Sequence, residues 1–353
     1  MIKYTVIGAG HGGQALAAFL ALQGAKVTLY NRSANVISNI KRLGRIELQG
    51  CVEGSVDNII VTSELDKAIS NADVIMVCIP SHHHNLFARN AKQYFKSGQI
   101  IILNPGRTLG AFYFDDEIEG TKRGIIVAET DTFLLTSRKI EDGFSKIFCV
   151  KKEVFLGAKD RNTEEVIIEK VKEDLGMLCP ANSILYTSLG NIGAIFHPLP
   201  AILNIGRIEC GEDFLHYKEG ITPTVAGILE KLDAERLEIA NKLGCSIMSA
   251  KEWIKVVYGS KGDSLYQVIQ NTTAYDEVMA PKEISTRYIF EDIATGIVPM
   301  YCLAEELSTS NDILGLIIQL GTELFNYDFM HEGRNQVKKF LDYIEINKIR
   351  WNE

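Results

Sequence analysis

The chain has 353 residues, of which 46% are hydrophobic and 23% are charged, and its formal net charge is −8. This length is more than one ordinary core holds, so we predict two domains. The sequence has no basic stripe, which argues against a nucleic-acid partner. It also has no apolar run of the roughly 18–20 residues that a membrane span needs. The seven scattered cysteines include no C-x-x-C pair, which argues against a zinc site and favours a reducing compartment. With "MIKYTVIGAG" entering a strand directly, no signal peptide is expected and the predicted location is cytoplasmic.

The N-terminal segment indicates a βαβ unit with a glycine-rich turn. "KYTVIGAG" is an apolar strand, "GGQALAAFLALQGA" a helix and "KVTLYN" a second strand. Gly8, Gly10 and Gly13 form G-x-G-x-x-G between the first strand and the helix. The first glycine permits a tight turn, the second lets the backbone approach a pyrophosphate, and the third lets helix and strand pack closely. The whole turn, with His11 and Gly12, is therefore a predicted dinucleotide site.

The end of the second strand bears on the choice of cofactor. Many dinucleotide-binding proteins carry an acidic residue there, which accepts hydrogen bonds from the ribose 2′-hydroxyl. This chain has Asn31 and Arg32, followed by Ser33. The change removes a carboxylate that would repel a 2′-phosphate and adds a planar cation suited to phosphate. We predict NADP as the cofactor, with NAD and a solvated Arg32 as the alternative.

Further apolar segments extend the sheet to about residue 180: "ADVIMVCIPSH", "GQIIILNPG", "GIIVAET" and "KIFCVKKEVFLGA". Pro80 follows the first of these strands and is expected at the carboxyl edge, near the cofactor. The neighbouring His82, His83 and His84 should alternate in direction on an extended segment, so no metal site is predicted. Arg107, in "LNPGRT", is either a second anion contact or an exposed residue.

The second half is predicted to be mostly helical. "TPTVAGILEKLDAERLEIANKLG" has Thr222 as a candidate cap, Pro223 in the first turn and Gly244 where the helix should end. "NDILGLIIQLGTELFNYDF" and "RNQVKKFLDYIEIN" indicate further helices. The expected fold is thus α/β, with a doubly wound Rossmann-type sheet in residues 1–183 and a mostly α-helical domain in residues 184–353.

Two segments of the second half concentrate polar residues. "SLGNIGAIFHPLP" places His197 between an aromatic residue and two prolines, and "STRYIFEDIATGIVP" places Arg287 five residues before Asp292. Taken singly, a histidine or an Arg/Asp pair is more often structural than catalytic.

Four other residues of this half are candidate substrate ligands. Thr187 and Asn191, four apart, are expected on one helix that leads to His197, where they would contact a substrate carboxylate or the nicotinamide amide. Capping and packing are the equal alternative for both. Tyr217 and Glu219 are candidate contacts for a substrate amine.

Together these motifs change the interpretation. "GAGHGG", "HPLP", "EGITPTV" with "DAER", and "TRYIFEDIATGIVP", in this order, resemble the octopine/nopaline dehydrogenase family, the opine dehydrogenases, over essentially the whole chain. The resemblance implies a Rossmann domain and a helical domain with catalysis in the cleft between them. It also implies reductive condensation of an amino acid's α-amino group with a 2-oxo acid such as pyruvate. His197 would be the acid/base, Asp292 its partner carboxylate and Arg287 a ligand of a substrate carboxylate.

The residue types suit that chemistry. An amine and a ketone condense through a carbinolamine and an imine, with proton transfers that histidine performs near neutral pH. Two other functions stay open: an NADP-dependent 2-oxo acid or 2-hydroxy acid reductase, and a non-catalytic dinucleotide sensor. A requirement for an amine substrate would distinguish an opine dehydrogenase from the simple reductase. A large distance between His197 and Asp292 would favour the dinucleotide sensor. A homodimer is also left open.

Overall fold

The computed structural model describes residues 1–346, which form two compact units, Met1–Ser188 and a second beginning at Leu189. The strands are β1 Lys3–Ile7, β2 Lys26–Tyr30, β3 Ile46–Gly50, β4 Gly54–Val56, β5 Ile60–Thr62, β6 Val74–Val77, β7 Ile100–Leu103, β8 Ile126–Thr130, β9 Leu135–Glu141, β10 Phe144–Val150, β11 Val154–Gly157 and β12 Leu178–Pro180. The helices up to the unit boundary are α1 His11–Leu22, α2 Ala34–Leu43, α3 Leu65–Ile69, α4 His84–Ala91, α5 Gly110–Ile118, α6 Arg161–Val171 and α7 Ile184–Leu189.

The first unit is built on an eight-stranded sheet. Its strand order is β12-β11-β8-β7-β6-β1-β2-β5, and every neighbouring pair is parallel except β11 with β8. The central strands are buried along their length, as in β6, whose four residues "VIMV" are each 0% exposed. Strand order reverses between β1 and β6, and such switch points are where ligands bind in doubly wound folds. The predicted Rossmann-type sheet is confirmed.

The prediction that "KIFCVKKEVFLGA" only extends this sheet is wrong for its first part. β10 belongs to a separate four-stranded sheet of order β4-β3-β10-β9, and only β11 joins the main sheet. In β10, Ser145 and Ile147 are buried whereas Lys146 and Phe148 are exposed. This alternation is typical of a sheet with one solvated face. The other face covers α1, where the Gln14 amide donates to the Ser145 hydroxyl at 2.8 Å.

The second unit is helical, as predicted. Its helices are α8 Gly193–Phe196, α9 Pro198–Leu203, α10 Ile205–Glu209, α11 Pro223–Lys242, α12 Ala250–Tyr258, α13 Leu265–Gln270, α14 Arg287–Asp292, α15 Val298–Leu307, α16 Asp312–Phe325, α17 Phe329–Glu332 and α18 Val337–Ile346. A π-helical segment, Ile293–Ile297, joins α14 to α15. Within residues 1–346, no helix has both the length and the apolar character to cross a membrane.

Helix α11 organises this unit. It begins where the sequence predicts, with the Thr222 hydroxyl oxygen accepting from the Val225 N–H at 3.3 Å and Pro223 at the first position. Arg236, on its inner face, is fully buried and bonds Asp233 as well as the carbonyl oxygens of Leu189 and Met248. Since an unpaired buried guanidinium would be costly, this network fixes α11 to the segments on either side.

Candidate active site

His197 and Asp292 form a hydrogen-bonded pair in the second unit. His197 stands at the break between α8 and α9, which Pro198 enforces because it begins α9. Its Nδ1 lies 2.7 Å from the Oδ2 of Asp292, the last residue of α14. The Asp292 side chain is fully buried and that of His197 is 12% exposed. Because the carboxylate accepts a hydrogen bond at Nδ1, the neutral ring carries its proton there and presents the Nε2 lone pair.

Two tyrosines hold the other sides of the imidazole. The Tyr288 ring stacks on His197 with centroids 4.1 Å apart and planes at 8°. The Tyr217 hydroxyl lies 3.5 Å from Nε2. Burial, and then the nearby phenols of Tyr288 and Tyr258, raise the pKa of Tyr217 well above its ordinary value. Tyr217 therefore stays protonated, with its hydroxyl directed at Nε2 of His197.

A second histidine accompanies the pair but does not share its chemistry. His216 is buried, with its ring centroid 6.4 Å from that of His197 and its Nε2–H donating to the Phe196 carbonyl oxygen at 3.0 Å. Burial first, and the charge of His197 second, lower the pKa of His216 from 6.5 to about 4. His216 is consequently neutral at physiological pH and does not compete with His197 for protons.

Arg287 supplies an accessible positive charge beside these rings. It is the first residue of α14, is exposed, and its Cζ lies 5.6 Å from the Tyr288 ring centroid. Within residues 1–346 it forms no ion pair. A guanidinium held over an aromatic ring and open to solvent is suited to bind a carboxylate bidentately.

The glycine-rich turn of the first unit has the shape that a dinucleotide needs. Gly8 adopts φ +102°, which a side chain rarely does. A Cβ on Gly13 would lie 1.8 Å from the Gly8 carbonyl oxygen, whereas one on Gly10 would meet nothing within 4 Å. Helix and strand are therefore in contact at the third glycine, and open space remains at the second, where a pyrophosphate would approach.

The end of β2 is arranged around this turn. The Asn31 Oδ1 accepts from the Ala9 N–H at 3.1 Å, so this side chain supports the turn. Arg32 and Ser33 are exposed, and Ser33 precedes α2 without forming a side-chain capping bond. The first turn of α2 contains no acidic residue. A cation, a hydroxyl and a helix N-terminus thus adjoin the turn, a combination that fits a phosphate.

Comparison with known proteins identifies the family. The helical region, residues 180–325, matches the model for the NAD/NADP octopine/nopaline dehydrogenase α-helical domain, and residues 3–143 match that for the NAD-dependent glycerol-3-phosphate dehydrogenase N-terminus. An opine dehydrogenase from Arthrobacter sp. (strain 1C) is 34% identical over 98% of this chain and 97% of its own. The chain belongs to the opine dehydrogenase family. It is an NAD(P)-dependent oxidoreductase of this type, which confirms the resemblance seen in the sequence.

More distant relatives agree in fold. The protein ocs of Agrobacterium tumefaciens (strain Ach5) is 22% identical over 99% of this chain and 98% of its own. A structure of octopine dehydrogenase with NADH and agmatine has a TM-score of 0.80 at 17% identity and covers 100% of this chain and 99% of its own. Yersinopine dehydrogenase bound to NADP⁺ has a TM-score of 0.79 at 15% identity, with 98% of each chain covered. The two-domain architecture is therefore the family's.

The structure corrects the expected helix through Thr187 and Asn191. Thr187 lies in α7, Asn191 follows that helix, and α8 and α9 come later, so no single helix leads to His197. The Thr187 hydroxyl is 2.8 Å from Oε1 of Glu129, a fully buried carboxylate of the first unit. Asn191, buried in the second unit, has its Nδ2 close to Gly296 of the π-helical segment. Their role as substrate ligands stays a prediction.

The other predicted contacts of the turn lie close to it. Pro80 is exposed at the carboxyl end of β6, and the preceding Ile79 packs against Gly8. His11 opens α1, but its Nδ1 accepts from the Lys139 N–H at 3.0 Å, so its ring is directed towards β9. Gly12 leaves space for the ring of Phe133.

The three neighbouring histidines do not lie on an extended segment, as the sequence had suggested. His82 and His83 are in a 3₁₀ turn, Ser81–His83, and His84 begins α4. His84 is fully buried, with its Nε2 3.1 Å from the Ile79 carbonyl oxygen. Within residues 1–346, no three metal-ligating side chains are grouped to hold an ion.

Sequence reasoning missed Tyr288 and His216. Tyr288 lies inside the "TRYIFED" motif, next to Arg287, and an aromatic residue one position from a proposed ligand is a usable signal. His216 precedes Tyr217 in "FLHYKEG", but nothing in that segment indicates that it packs beside His197. Glu219, predicted to contact a substrate amine, accepts from the Leu215 N–H and so closes its own turn.

Proposed function

We propose that this opine dehydrogenase uses NADPH to condense the α-amino group of an L-amino acid with a 2-oxo acid such as pyruvate, giving a secondary-amine dicarboxylate. The observation that carries the proposal is the His197–Asp292 contact of 2.7 Å, with Arg287 at the other end of the same short helix. A nucleotide sensor needs the glycine turn but has no use for a buried, correctly oriented acid/base pair.

The proton transfers are assigned to Nε2 of His197. The substrate ammonium must lose a proton before its nitrogen can attack the ketone carbon, and Nε2 accepts that proton. The carbinolamine hydroxyl must then be protonated to leave as water, and the imidazolium returns the proton there. Asp292 holds the ring orientation and stabilises its charged form, because the carboxylate is buried and bonded to Nδ1.

Arg287 is assigned a positioning and binding role. Both substrates and the product are carboxylates, and Arg287 is an exposed cation without an ion-pair partner in residues 1–346. A bidentate contact would fix one carboxylate and thereby the carbon that receives hydride. Tyr217 is assigned a contact with the substrate amine or oxo group, because its hydroxyl already lies beside Nε2.

The cofactor assignment rests on the glycine turn and on Arg32. When bound, NADPH supplies the hydride that reduces the imine. Gly10 offers the space for the pyrophosphate, Arg32 and Ser33 would bind the 2′-phosphate, and Pro80 would border the nicotinamide end. Asn31 is uncharged and so does not repel a phosphate. Its side-chain oxygen accepts a hydrogen bond from the turn and is therefore already in use. We also propose a cytoplasmic location, which the seven cysteines, none of them in a disulfide, support.

The test follows oxidation of NADPH and NADH in separate reactions. Pyruvate is supplied alone, and then with each of the twenty amino acids. We expect oxidation only when an amino acid is present, faster with NADPH. Oxidation with pyruvate alone would establish a simple 2-oxo acid reductase instead, and equal or better rates with NADH would contradict the assignment of Arg32.

A further inference from the structure

A half-buried aromatic ring lies on the glycine-rich turn of the first unit. Phe133 belongs to residues 131–134, the loop that joins β8 to β9. A Cβ on Gly12 would lie 2.3 Å from Cζ of the Phe133 ring, so the ring occupies the place of a side chain there. Because Gly12 is the second residue of α1, the ring covers one side of the first turn of this helix. Its accessible part borders the N–H groups that would bind a pyrophosphate.

Backbone hydrogen bonds fix both ends of the 131–134 loop. At its start, the Asp131 N–H donates to the Phe155 carbonyl oxygen at 3.0 Å, and Oδ1 of Asp131 accepts from the Phe155 N–H at 3.1 Å. At its end, the Leu134 carbonyl oxygen accepts from the Lys151 N–H at 3.2 Å. A ring held in this way is a preformed apolar surface, which loses little entropy when a ligand binds.

The side chain of Lys151 holds the middle of the loop. Its Nζ donates to the Thr132 hydroxyl oxygen at 2.5 Å, and Thr132 is the residue directly before Phe133. Burial raises the pKa of Asp131 to about 6 and lowers the pKa of Lys151 to about 8, while the charge of each group partly offsets the shift of the other. At pH 7 Lys151 is therefore charged, and its bond to Thr132 is a charge-assisted one.

We propose that Phe133 forms a wall of the cofactor site, and that Lys151 is a positioning residue that holds this wall against α1. The inference rests on the proposed function, in which the glycine turn binds the pyrophosphate of NADPH. A dinucleotide bound there covers the accessible part of the ring with the ribose next to its pyrophosphate, and this removes apolar surface from water. The ring also keeps water from the pyrophosphate, so the attraction of the helix N-terminus acts in a lower dielectric.

The first experiment measures the Kd of NADPH and of NADH at pH 7 from cofactor fluorescence, without substrates. Phe133→Ala should raise both Kd values by about tenfold, which is the loss expected for part of an aromatic ring. The ratio of the two Kd values should not change, because the ring lies on α1 and not at the end of β2. Phe148→Ala is the matched control, since Phe148 is an aromatic residue of the same unit that is 51% exposed on β10.

The outcomes separate this inference from the proposed function. Kd values of Phe133→Ala within twofold of the parent would overturn the inference alone, and so would an equal rise in Phe148→Ala. Phe133→Leu, which keeps a smaller apolar side chain, decides the question if Phe133→Ala does not fold, and its Kd should rise by about threefold. Failure of the parent to bind either cofactor would remove the proposed function, and this inference with it.

The second experiment tests the role of Lys151 with a double-mutant cycle. Lys151→Met keeps the unbranched chain but removes the charge, and it should raise the KM for NADPH by about fivefold without changing kcat at saturating cofactor. Because Lys151 acts through the loop, adding Lys151→Met to Phe133→Ala should raise the Kd no further. Lys152→Met, at the exposed neighbouring lysine, is the control and should match the parent. Additive effects of the two substitutions, or a fall in kcat with an unchanged KM, would refute the positioning role.

Discussion

Replacing Asp292 with asparagine tests the catalytic assignment most directly. The substitution Asp292→Asn keeps the size of the side chain and an oxygen that can accept from the imidazole, but it removes the charge. The hydrogen bond that changes joins Nδ1 of His197 to Oδ2 of Asp292 at 2.7 Å. The carboxylate is fully buried, so solvent does not screen this bond. A charge-assisted hydrogen bond of this kind contributes about 1.5–3 kcal/mol. If His197 is protonated during the rate-determining step, kcat should fall by roughly 10- to 150-fold, at about 1.4 kcal/mol per tenfold change in rate.

The assay is steady-state oxidation of NADPH with saturating amino acid and pyruvate, together with thermal unfolding of each variant. Asp213→Asn is the control: Asp213 is an exposed carboxylate of the same unit that pairs with Lys282 at the surface, where ion pairs contribute about 0–1 kcal/mol. We expect its kcat to match that of the parent. A kcat of Asp292→Asn within threefold of the parent, with the fold intact, would refute the role of Asp292 in charge stabilisation.

Three further predictions concern other parts of the chain. Arg32→Asp should lower kcat/KM for NADPH by roughly 100-fold and that for NADH far less, since it replaces a charge-assisted phosphate contact with repulsion; an unchanged ratio would show that Arg32 is only solvated. The pKa of His216 is about 4 in the folded protein and about 6.5 in the unfolded chain. Between these two pH values only the unfolded state binds the proton. The free energy of unfolding should therefore fall by up to about 3 kcal/mol as the pH drops from 6.5 to 4. His216→Gln should lose that part of the pH dependence in denaturant titrations, and parallel curves for the two proteins would contradict it. Gly13→Ala should lower the melting temperature because its methyl meets a backbone oxygen at 1.8 Å, whereas Gly10→Ala should fold normally and raise the KM for cofactor; the opposite pattern would exclude the assigned turn geometry.

The elements that the sequence predicts well are those whose pattern is local. Residue spacing, capping residues and continuous apolar runs predict the glycine turn, the first βαβ unit and the long helix from Pro223. β10 was placed in the wrong sheet because its strand character was recognised but its alternating burial was not. Which sheet a strand joins depends on pairing with Ile46–Gly50, nearly a hundred residues earlier, and such distant pairing leaves no local signal.

For the candidate site, the sequence draws attention to the proposed reacting groups more readily than to the residues packed around them. His197, Arg287 and Asp292 lie in motifs that resemble a family, so position alone suggests roles. The stacking of Tyr288 and the proximity of His216 are products of tertiary packing and have no spacing rule. Thr187 shows the converse: its placement four residues before Asn191 suggested a shared helix face, yet α7 ends between them.

His197 and Asp292, the proposed catalytic pair, both lie where a regular helix is interrupted. Pro198 cannot continue α8, so His197 adopts φ −104° and ψ −61° at the junction. After Asp292 the chain forms a π-helical segment, in which the Thr295 hydroxyl donates to the Glu291 carbonyl oxygen at 2.8 Å. Side chains at such junctions leave the regular angular spacing of a helix, and π-helical turns are frequent at functional sites.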